Sequence, residues 1–151
     1  MGQNFKIECK NCNYEESFLI GIGMMYSPHL LLSFESEINL LPSIIESKKT
    51  LEEIQRLTEK KNATVYGDYG FDVYRCSQCN HFYKRFTIAL EYTGGIYMVE
   101  YECPTCRIKL EPMNIKDQLD EGKNYDLSKY PCPTCGAYSL EQRFDEQVMW
   151  D

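Results

Sequence analysis

The tetrapeptide C-P-T-C at residues 103–106 recurs at residues 132–135, and this repeat indicates that bound metal ions cross-link the chain. Two earlier pairs have the same spacing, so every cysteine belongs to a Cys-x-x-Cys pair. This is the pattern expected when thiolates bind tetrahedral metal ions two at a time. The candidate metal ligands are therefore all eight cysteines: Cys9, Cys12, Cys76, Cys79, Cys103, Cys106, Cys132 and Cys135.

Eight thiolates can form two closed four-cysteine sites in three ways. Pairing in chain order joins Cys9/Cys12 to Cys76/Cys79 and Cys103/Cys106 to Cys132/Cys135. A nested pairing joins the second pair to the third and leaves the chain ends to join each other. Loop-closure entropy separates these by only about 0.5 kcal/mol. We expect the chain-order pairing, because a strand-like segment follows each pair and C-P-T-C recurs at both ends of one compact excursion.

Zinc is the metal that we expect at both sites, because four thiolates in a tetrahedral arrangement suit it. Iron in a rubredoxin-like site uses the same ligands and is the main alternative. A redox dithiol is a weaker interpretation, because one active Cys-x-x-Cys on a thioredoxin-like βαβ pattern is expected there, not four scattered pairs. An ion with four sulfur ligands has no open position for water, so the sites are expected to be structural.

The charge of the chain argues against a nucleic-acid partner. Its 151 residues carry a formal charge of −7, and two Zn²⁺ ions on eight thiolates would bring it to about −11. The few basic pairs, such as Lys48/Lys49 and Lys84/Arg85, stand alone or among acids. A basic stripe that could supply phosphate affinity is missing.

The compartment is predicted to be the cytoplasm, where paired cysteines more often bind metal than form disulfides. The first residues contain no apolar core of a signal peptide, and no apolar run approaches the length of a membrane span. We therefore expect no membrane association. The oligomeric state is left open by the sequence.

The predicted fold class is a small, metal-stapled α+β fold with two zinc-ribbon β lobes, at residues 1–92 and 93–151, joined by a β-hairpin. The hairpin is indicated by aromatic and β-branched residues at 82–92 and 96–101 around Gly94-Gly95. Short strands are expected at residues 5–22, 108–110 and from residue 136. Residues 114–129 form a polar excursion with one helical turn.

A helical insertion is expected in the first lobe, at about residues 24–62. Its main helix is predicted from Ser43 to Lys61, because Ser43 and Glu46 match a capping box and apolar residues recur at helical spacing. A shorter helix is expected around residues 29–38. His29 in this segment is interpreted as a packed or half-exposed side chain, and Met24 and Met25 as core filler.

The residue that follows each Cys-x-x-Cys pair affects the shape of the turn. Gly136 suits a left-handed backbone there, and Asn13 and Asn80 tolerate it. Arg107 departs from this pattern, which predicts a strained or differently shaped third turn. His81, two residues after Cys79, is interpreted as a surface residue or a neighbour of the site and not as a ligand.

Several stretches together resemble a group of small, uncharacterised bacterial proteins with tandem four-cysteine zinc ribbons. They are F-K-I-E-C-K-N-C-N-Y at residues 5–14, the turn at 21–24, Gly67-Asp68-Tyr69-Gly70, residues 74–79, and the closing C-P-T-C-G with Trp150-Asp151. The resemblance covers most of the chain. It implies metal binding and the ribbon fold, and it implies nothing about a substrate.

We expect a non-enzymatic protein that uses structural zinc and presents an acidic, aromatic surface to a protein partner, as an interaction module or adaptor. The two histidines lie in no known catalytic signature, and no Ser/His/Asp pattern is present. The alternatives are a nucleic-acid-associated zinc-ribbon factor and a zinc or redox sensor.

Overall fold

The architecture is α+β with mostly antiparallel sheets and few helices, as seen in a computed structural model that describes residues 2–23 and 26–143. The expectations for Met24, Met25, Trp150 and Asp151 fall outside these residues. The strands are β1 (Gly2–Cys9), β2 (Glu15–Gly21), β3 (Thr64–Val65), β4 (Gly70–Arg75), β5 (Phe82–Thr87), β6 (Ala89–Tyr92), β7 (Gly95–Met98), β8 (Glu111–Pro112) and β9 (Leu140–Arg143). The helices are α1 (Pro28–Leu31), α2 (Leu41–Ile44), α3 (Lys48–Lys61) and α4 (Ile115–Asp120).

The larger sheet has the strand order β5-β4-β2-β1-β9, and β8 pairs with β4 beside this path. β1 and β2 form a hairpin over their whole length, with Phe5 opposite Phe18. Both phenylalanines are buried, together with Ile7 and Ile20, as expected for strands that alternate between a core face and an outer face. This hairpin confirms the strands expected at residues 5–22.

Two strands that are distant in sequence meet at the edge of this sheet. β9 pairs antiparallel with β1, so that Cys9 lies opposite Leu140 and Glu8 opposite Glu141. Arg143 Nη1 lies 2.6 Å from Glu8 Oε2 across the same pair. The two ends of the described chain are therefore adjacent strands.

The predicted hairpin at residues 82–101 forms only in part, as the pairing of β6 with β7 at residues 89–98. The first strand is interrupted at Ile88, whose side chain is fully buried. β5 pairs with β4 in the larger sheet, whereas β6 pairs with β3 and β7 in a second, three-stranded sheet. The continuous aromatic and β-branched run does not mark this change of sheet, so the sequence predicted one long strand.

Helix α3 begins five residues later than predicted. Ser47, and not Ser43, is the N-cap, and its hydroxyl accepts a hydrogen bond from the Thr50 N–H (3.3 Å). The Ser43 hydroxyl instead donates to the Leu40 carbonyl. The helix ends as predicted, with Asn62 in the left-handed conformation. The capping-box interpretation at Ser43 was therefore wrong, whereas the predicted end of the helix at Lys61 is confirmed.

The insertion contains less helix before α3 than expected. α1 spans only Pro28–Leu31, at the start of the segment predicted to be helical around residues 29–38. The fully buried side chains of Leu31, Leu41 and Ile45 fix this irregular stretch against α3 and the second sheet. Among the described residues, no helix is long and apolar enough to cross a membrane.

Strands from both sides of the predicted lobe boundary pair in the larger sheet. β9 joins β1, and β8 joins β4, where Tyr74 lies opposite Pro112. The predicted boundary between residues 92 and 93 divides the chain into two lobes that would each fold alone. Strand pairing does not test independent folding, so this boundary stays a prediction.

Candidate metal centres

Two groups of four cysteines come together in the described residues. We call them the terminal cluster (Cys9, Cys12, Cys132 and Cys135) and the central cluster (Cys76, Cys79, Cys103 and Cys106). In each cluster the four sulfur atoms lie within 4.8 Å of one another. All eight predicted ligands are therefore brought together in fours, and each cluster could hold a metal ion.

The chain-order pairing was wrong, and the nested pairing is the one that the structure contains. The reason is the sheet. β1 ends at Cys9, and its partner β9 begins five residues after Cys135, so the β1–β9 ladder brings the first and last pairs together. The second and third pairs flank the β5–β7 segment, and the return of the chain along β6 and β7 brings them together in turn.

The second, third and fourth turns have the same backbone geometry. In each, the N–H of the residue after the second cysteine donates to the carbonyl of the first cysteine, at 2.9–3.0 Å, and that residue has positive φ: Asn80 (63°), Arg107 (62°) and Gly136 (75°). The expectations for Asn80 and Gly136 are confirmed. Arg107 adopts the strained backbone and leaves the turn's shape unchanged. Asn13 is not among the described residues with positive φ, so the first turn is the one that differs.

A shared hydrogen bond closes all four turns. The N–H of each first cysteine donates to the carbonyl five residues later, as in Cys9 to Tyr14 (3.0 Å) and Cys132 to Ala137 (2.9 Å). Within the turns, backbone N–H groups also point at sulfur. Asn11 N lies 3.4 Å from Cys9 Sγ, and Cys106 N lies 3.4 Å from Cys103 Sγ. Such donors spread the negative charge of a thiolate, as they do around bound metal ions.

The sulfur spacing tests whether an ion fits. Cys9 and Cys135, Cys12 and Cys132, and Cys79 and Cys103 have Sγ–Sγ distances of 3.7 Å. A disulfide bond is about 2.05 Å long, so these are separate thiols. A tetrahedral ion with bonds of about 2.3 Å to sulfur sets the sulfur atoms about 3.8 Å apart. These three distances match a tetrahedral four-thiolate site, and the other sulfur pairs in each cluster lie within 4.8 Å.

The pKa values within the terminal cluster diverge. The hydrogen bond between Ser139 Oγ and Cys9 Sγ (3.2 Å) does most to lower the pKa of Cys9, to about 6. The N–H of Tyr14 favours the thiolate of Cys12, but burial and the neighbouring sulfurs raise the pKa of that thiol to about 12. One thiolate thus opposes the ionisation of the next, and four thiolates require a cation among them.

The central cluster behaves in the same way. Burial opposes ionisation of Cys103, yet hydrogen bonds from the Tyr83 hydroxyl (3.4 Å) and from backbone N–H groups lower its pKa to about 6. Burial and the nearby sulfurs raise the pKa of Cys106 to about 12. This cluster is also the more enclosed of the two, because Cys76 and Cys103 are fully buried while Cys135 in the terminal cluster is exposed.

A side chain next to the central cluster reaches towards the terminal one. The Arg75 guanidinium, beside Cys76, lies 4.8 Å from the ring centroid of Tyr130, two residues before Cys132. It also donates to Asn80 Oδ1 (2.6 Å), behind the second pair of cysteines. Arg75 therefore connects the chain segments that carry the two clusters.

His81 lies at the surface, as the sequence suggested, whereas His29 is more exposed than the packed or half-exposed side chain that was expected. His81 is exposed, and its backbone carbonyl accepts the hydrogen bond from Cys76 N (3.0 Å). His29 is exposed on α1. Neither belongs to a described metal-binding group.

Three side chains hydrogen-bond to the sulfurs and are not predicted by the sequence pattern: Asn11, Tyr83 and Ser139. Asn11 lies between Cys9 and Cys12, but its amide nitrogen reaches Cys135 Sγ (3.5 Å), on the other chain end. That contact depends on the nested pairing, so the spacing of the cysteines does not predict it.

No family model, curated protein or solved structure matches the chain. The fold and the clusters define it as an α+β protein with two candidate four-cysteine metal centres. The resemblance to small bacterial zinc-ribbon proteins beyond this stays a prediction.

Proposed function

We propose that both clusters bind zinc and that the bound ions hold the fold together. The observation that carries this proposal is the pair of groups of four sulfurs within 4.8 Å of one another, with three of the sulfur pairs at 3.7 Å. Zinc accepts four thiolates in this geometry and has no redox chemistry to disturb a structural site. Iron is the competing ion for the same ligands.

The proposed role of the ions is structural and not catalytic. Four sulfurs complete a tetrahedral coordination shell, so no position is left for a reactive water or a substrate. The terminal cluster would fasten β1 to the segment before β9, and the central cluster would fasten β4 to the segment before β8. Both fastenings join segments that are distant in sequence, where a metal restrains the unfolded chain most.

The protein is proposed to act as an interaction module for another protein and to have no enzymatic activity. The formal charge of −7 supports a protein partner over a nucleic acid. Exposed apolar side chains along a groove next to α3 support a protein-binding surface.

Two measurements on the full chain test this function. Elemental analysis of protein purified under reducing conditions should find about two zinc ions per chain; one, none, or iron in their place would contradict the metal assignment. A partner recovered at native expression should then bind the purified zinc-loaded chain in a two-component assay. Failure of every recovered candidate in that assay would contradict the interaction role.

A zinc or redox sensor is the second candidate, and the exposure of Cys135 favours it. A sensor needs a site that releases its ion readily, whereas a structural site holds its ion tightly. Competition with a chelator of graded affinity distinguishes them: we expect both ions to resist chelators that strip labile zinc. Release of the terminal ion at low chelator affinity, with the fold retained, would favour the sensor.

A further inference from the structure

Strand β7 has an open side. Among the described strands it pairs only with β6, and Val99 N donates to the Ile88 carbonyl at the end of this ladder. Hydrogen-bonded and non-hydrogen-bonded pairs alternate along antiparallel strands. The N–H and C=O groups of Ile96 and Met98 therefore point away from β6, and no backbone hydrogen bond from another described residue reaches them.

The same two residues expose apolar side chains. Ile96 is 53% exposed and Met98 is 57% exposed, and both lie on the same face of the strand. Strands at sheet edges with unpaired backbone and apolar side chains readily accept another strand. β7 thus combines the two features that β-strand addition requires.

The open side is long enough for a short extended segment. It runs from Gly95 to Glu100, after which the Leu110 N–H donates to the Tyr101 carbonyl and closes the edge. A groove of about 1430 Å³ lies alongside, between α3 and the third cysteine turn. The groove has room for an additional strand with its side chains.

The charges lining the groove are unlike those of the whole chain. Six cations and five carboxylates line it, in a protein of formal charge −7. Among the cations of the groove, Lys84, Arg85 and Arg107 have no described carboxylate at ion-pair distance. The Tyr101 hydroxyl donates to the Phe86 carbonyl (2.6 Å), which places Arg85 near the chain that leaves β7. Carboxylates of an occupant would complement these three cations.

We propose that β7 and its groove bind an extended peptide segment of a partner protein. The segment adds as a strand to the open side of β7 and packs apolar residues against Ile96 and Met98. Its carboxylates lie towards Lys84, Arg85 and Arg107. This inference rests on the proposed interaction role and names the surface and the chemistry of the partner.

A second copy of this chain fits the surface less well. Two β7 strands related by a two-fold axis would pair antiparallel. Glu100 of the second copy would then lie near the Gly94 turn, at the opposite end of the strand from Arg85. Lys84, Arg85 and Arg107 would stay without a carboxylate partner, and two chains of formal charge −7 would repel each other.

The test uses three blocked hexapeptides titrated into the full-length, metal-loaded protein, with binding read from backbone amide NMR. The acidic peptide is Glu-Glu-Val-Thr-Val-Thr. The second replaces both glutamates by lysine, and the third is the acidic peptide N-methylated at every interior peptide bond. We expect the acidic peptide to shift the amides of Gly95–Glu100. Each of the others should bind roughly tenfold more weakly.

Two variants check the contacts. Met98→Pro removes an N–H on the open side and keeps the ladder to β6, so it should weaken the acidic peptide about tenfold. The control is Ile38→Ser, which changes an exposed apolar side chain outside β7. Lys84→Glu/Arg85→Glu should reverse the preference between acidic and basic peptides. Lys60→Glu/Lys61→Glu makes the same charge change on α3 outside the groove and should not reverse it.

The proposal is overturned if no peptide binds, if the shifts map outside β7, or if N-methylation has no effect. It is also overturned if the basic peptide binds the unaltered protein best, or if β7 amides shift with protein concentration alone, which would indicate a second copy. Metal content measured in the same samples separates the two ideas. A metal-loaded chain that ignores every peptide contradicts this inference and leaves the structural-zinc proposal standing.

Discussion

The sulfur atoms of Cys9 and Cys135 lie 3.7 Å apart although 126 positions separate them in the sequence. Cys9 ends β1, and Cys135 precedes β9, the strand that pairs with β1. The terminal cluster therefore closes a loop of nearly the whole described chain. A metal ion there restrains the unfolded state more than an ion between neighbouring pairs would.

Removing the last pair of ligands should free the first pair. In Cys132→Ser/Cys135→Ser, we expect Cys9 and Cys12 to react with a thiol reagent, because they lose their partners in the terminal cluster. Cys76 and Cys79 should stay protected. Mass spectrometry of the labelled protein identifies the reactive thiols, and Cys103 and Cys106 in their place would contradict the nested pairing.

A close contact between two glycines joins β2 to β4. A Cβ on Gly70, which has φ of 148°, would lie 2.8 Å from the Gly21 carbonyl oxygen, next to the Gly21–Phe71 pair that connects these strands. Gly70→Ala should lower the free energy of unfolding by about 2 kcal/mol or more. Gly67→Ala, with positive φ and open space, is the control and should cost about 1 kcal/mol. Denaturant unfolding measures both free energies, and equal losses in the two variants would contradict the steric explanation.

Asp72 should make stability fall as the pH rises. Burial raises the pKa of its carboxyl to about 6, although the N–H groups of Val73 and Ile115 favour the charged form. The proton binds the folded state more tightly than the unfolded chain, so this contribution is full below about pH 4 and is lost through about pH 6.

Asp72→Asn keeps the shape and removes the charge. As the pH rises from about 5 to 7, the free energy of unfolding of the wild type should fall by about 1 kcal/mol relative to that of this variant. The carboxyl carbon of Asp72 should titrate near pH 6 by NMR. A midpoint near 4 would contradict the effect of burial.

Nucleic acids should bind weakly. At a formal charge of −7, the long-range field of the protein repels phosphates. Gel shifts with DNA and RNA at low salt should give no tight complex. Tight binding that weakens steeply with salt would favour the nucleic-acid alternative.

The sequence predicted the local features of the chain and not their long-range partners. All eight candidate ligands, the β1–β2 hairpin and the end of α3 at Asn62 follow from short-range patterns. The pairing does not, because the loop entropies are nearly equal. The β1–β9 ladder decides it, through contacts between residues far apart in sequence.

Two other features could not be predicted from the sequence for similar reasons. Ser43 and Ser47 both offer a capping hydroxyl, and the fully buried Ile45 between them fixes where α3 begins. The change of sheet at Ile88 depends on burial of that side chain among α3 and the second sheet, and its neighbours in sequence are equally strand-forming.

The central claim is that two ions each bind four particular cysteines, and cadmium NMR tests it most directly. Protein loaded with ¹¹³Cd should give two cadmium resonances in the range of four-thiolate sites. One should correlate with the β-protons of Cys9, Cys12, Cys132 and Cys135, and the other with those of Cys76, Cys79, Cys103 and Cys106. A resonance that correlates with both Cys9 and Cys76, or a single bound cadmium, would contradict the account.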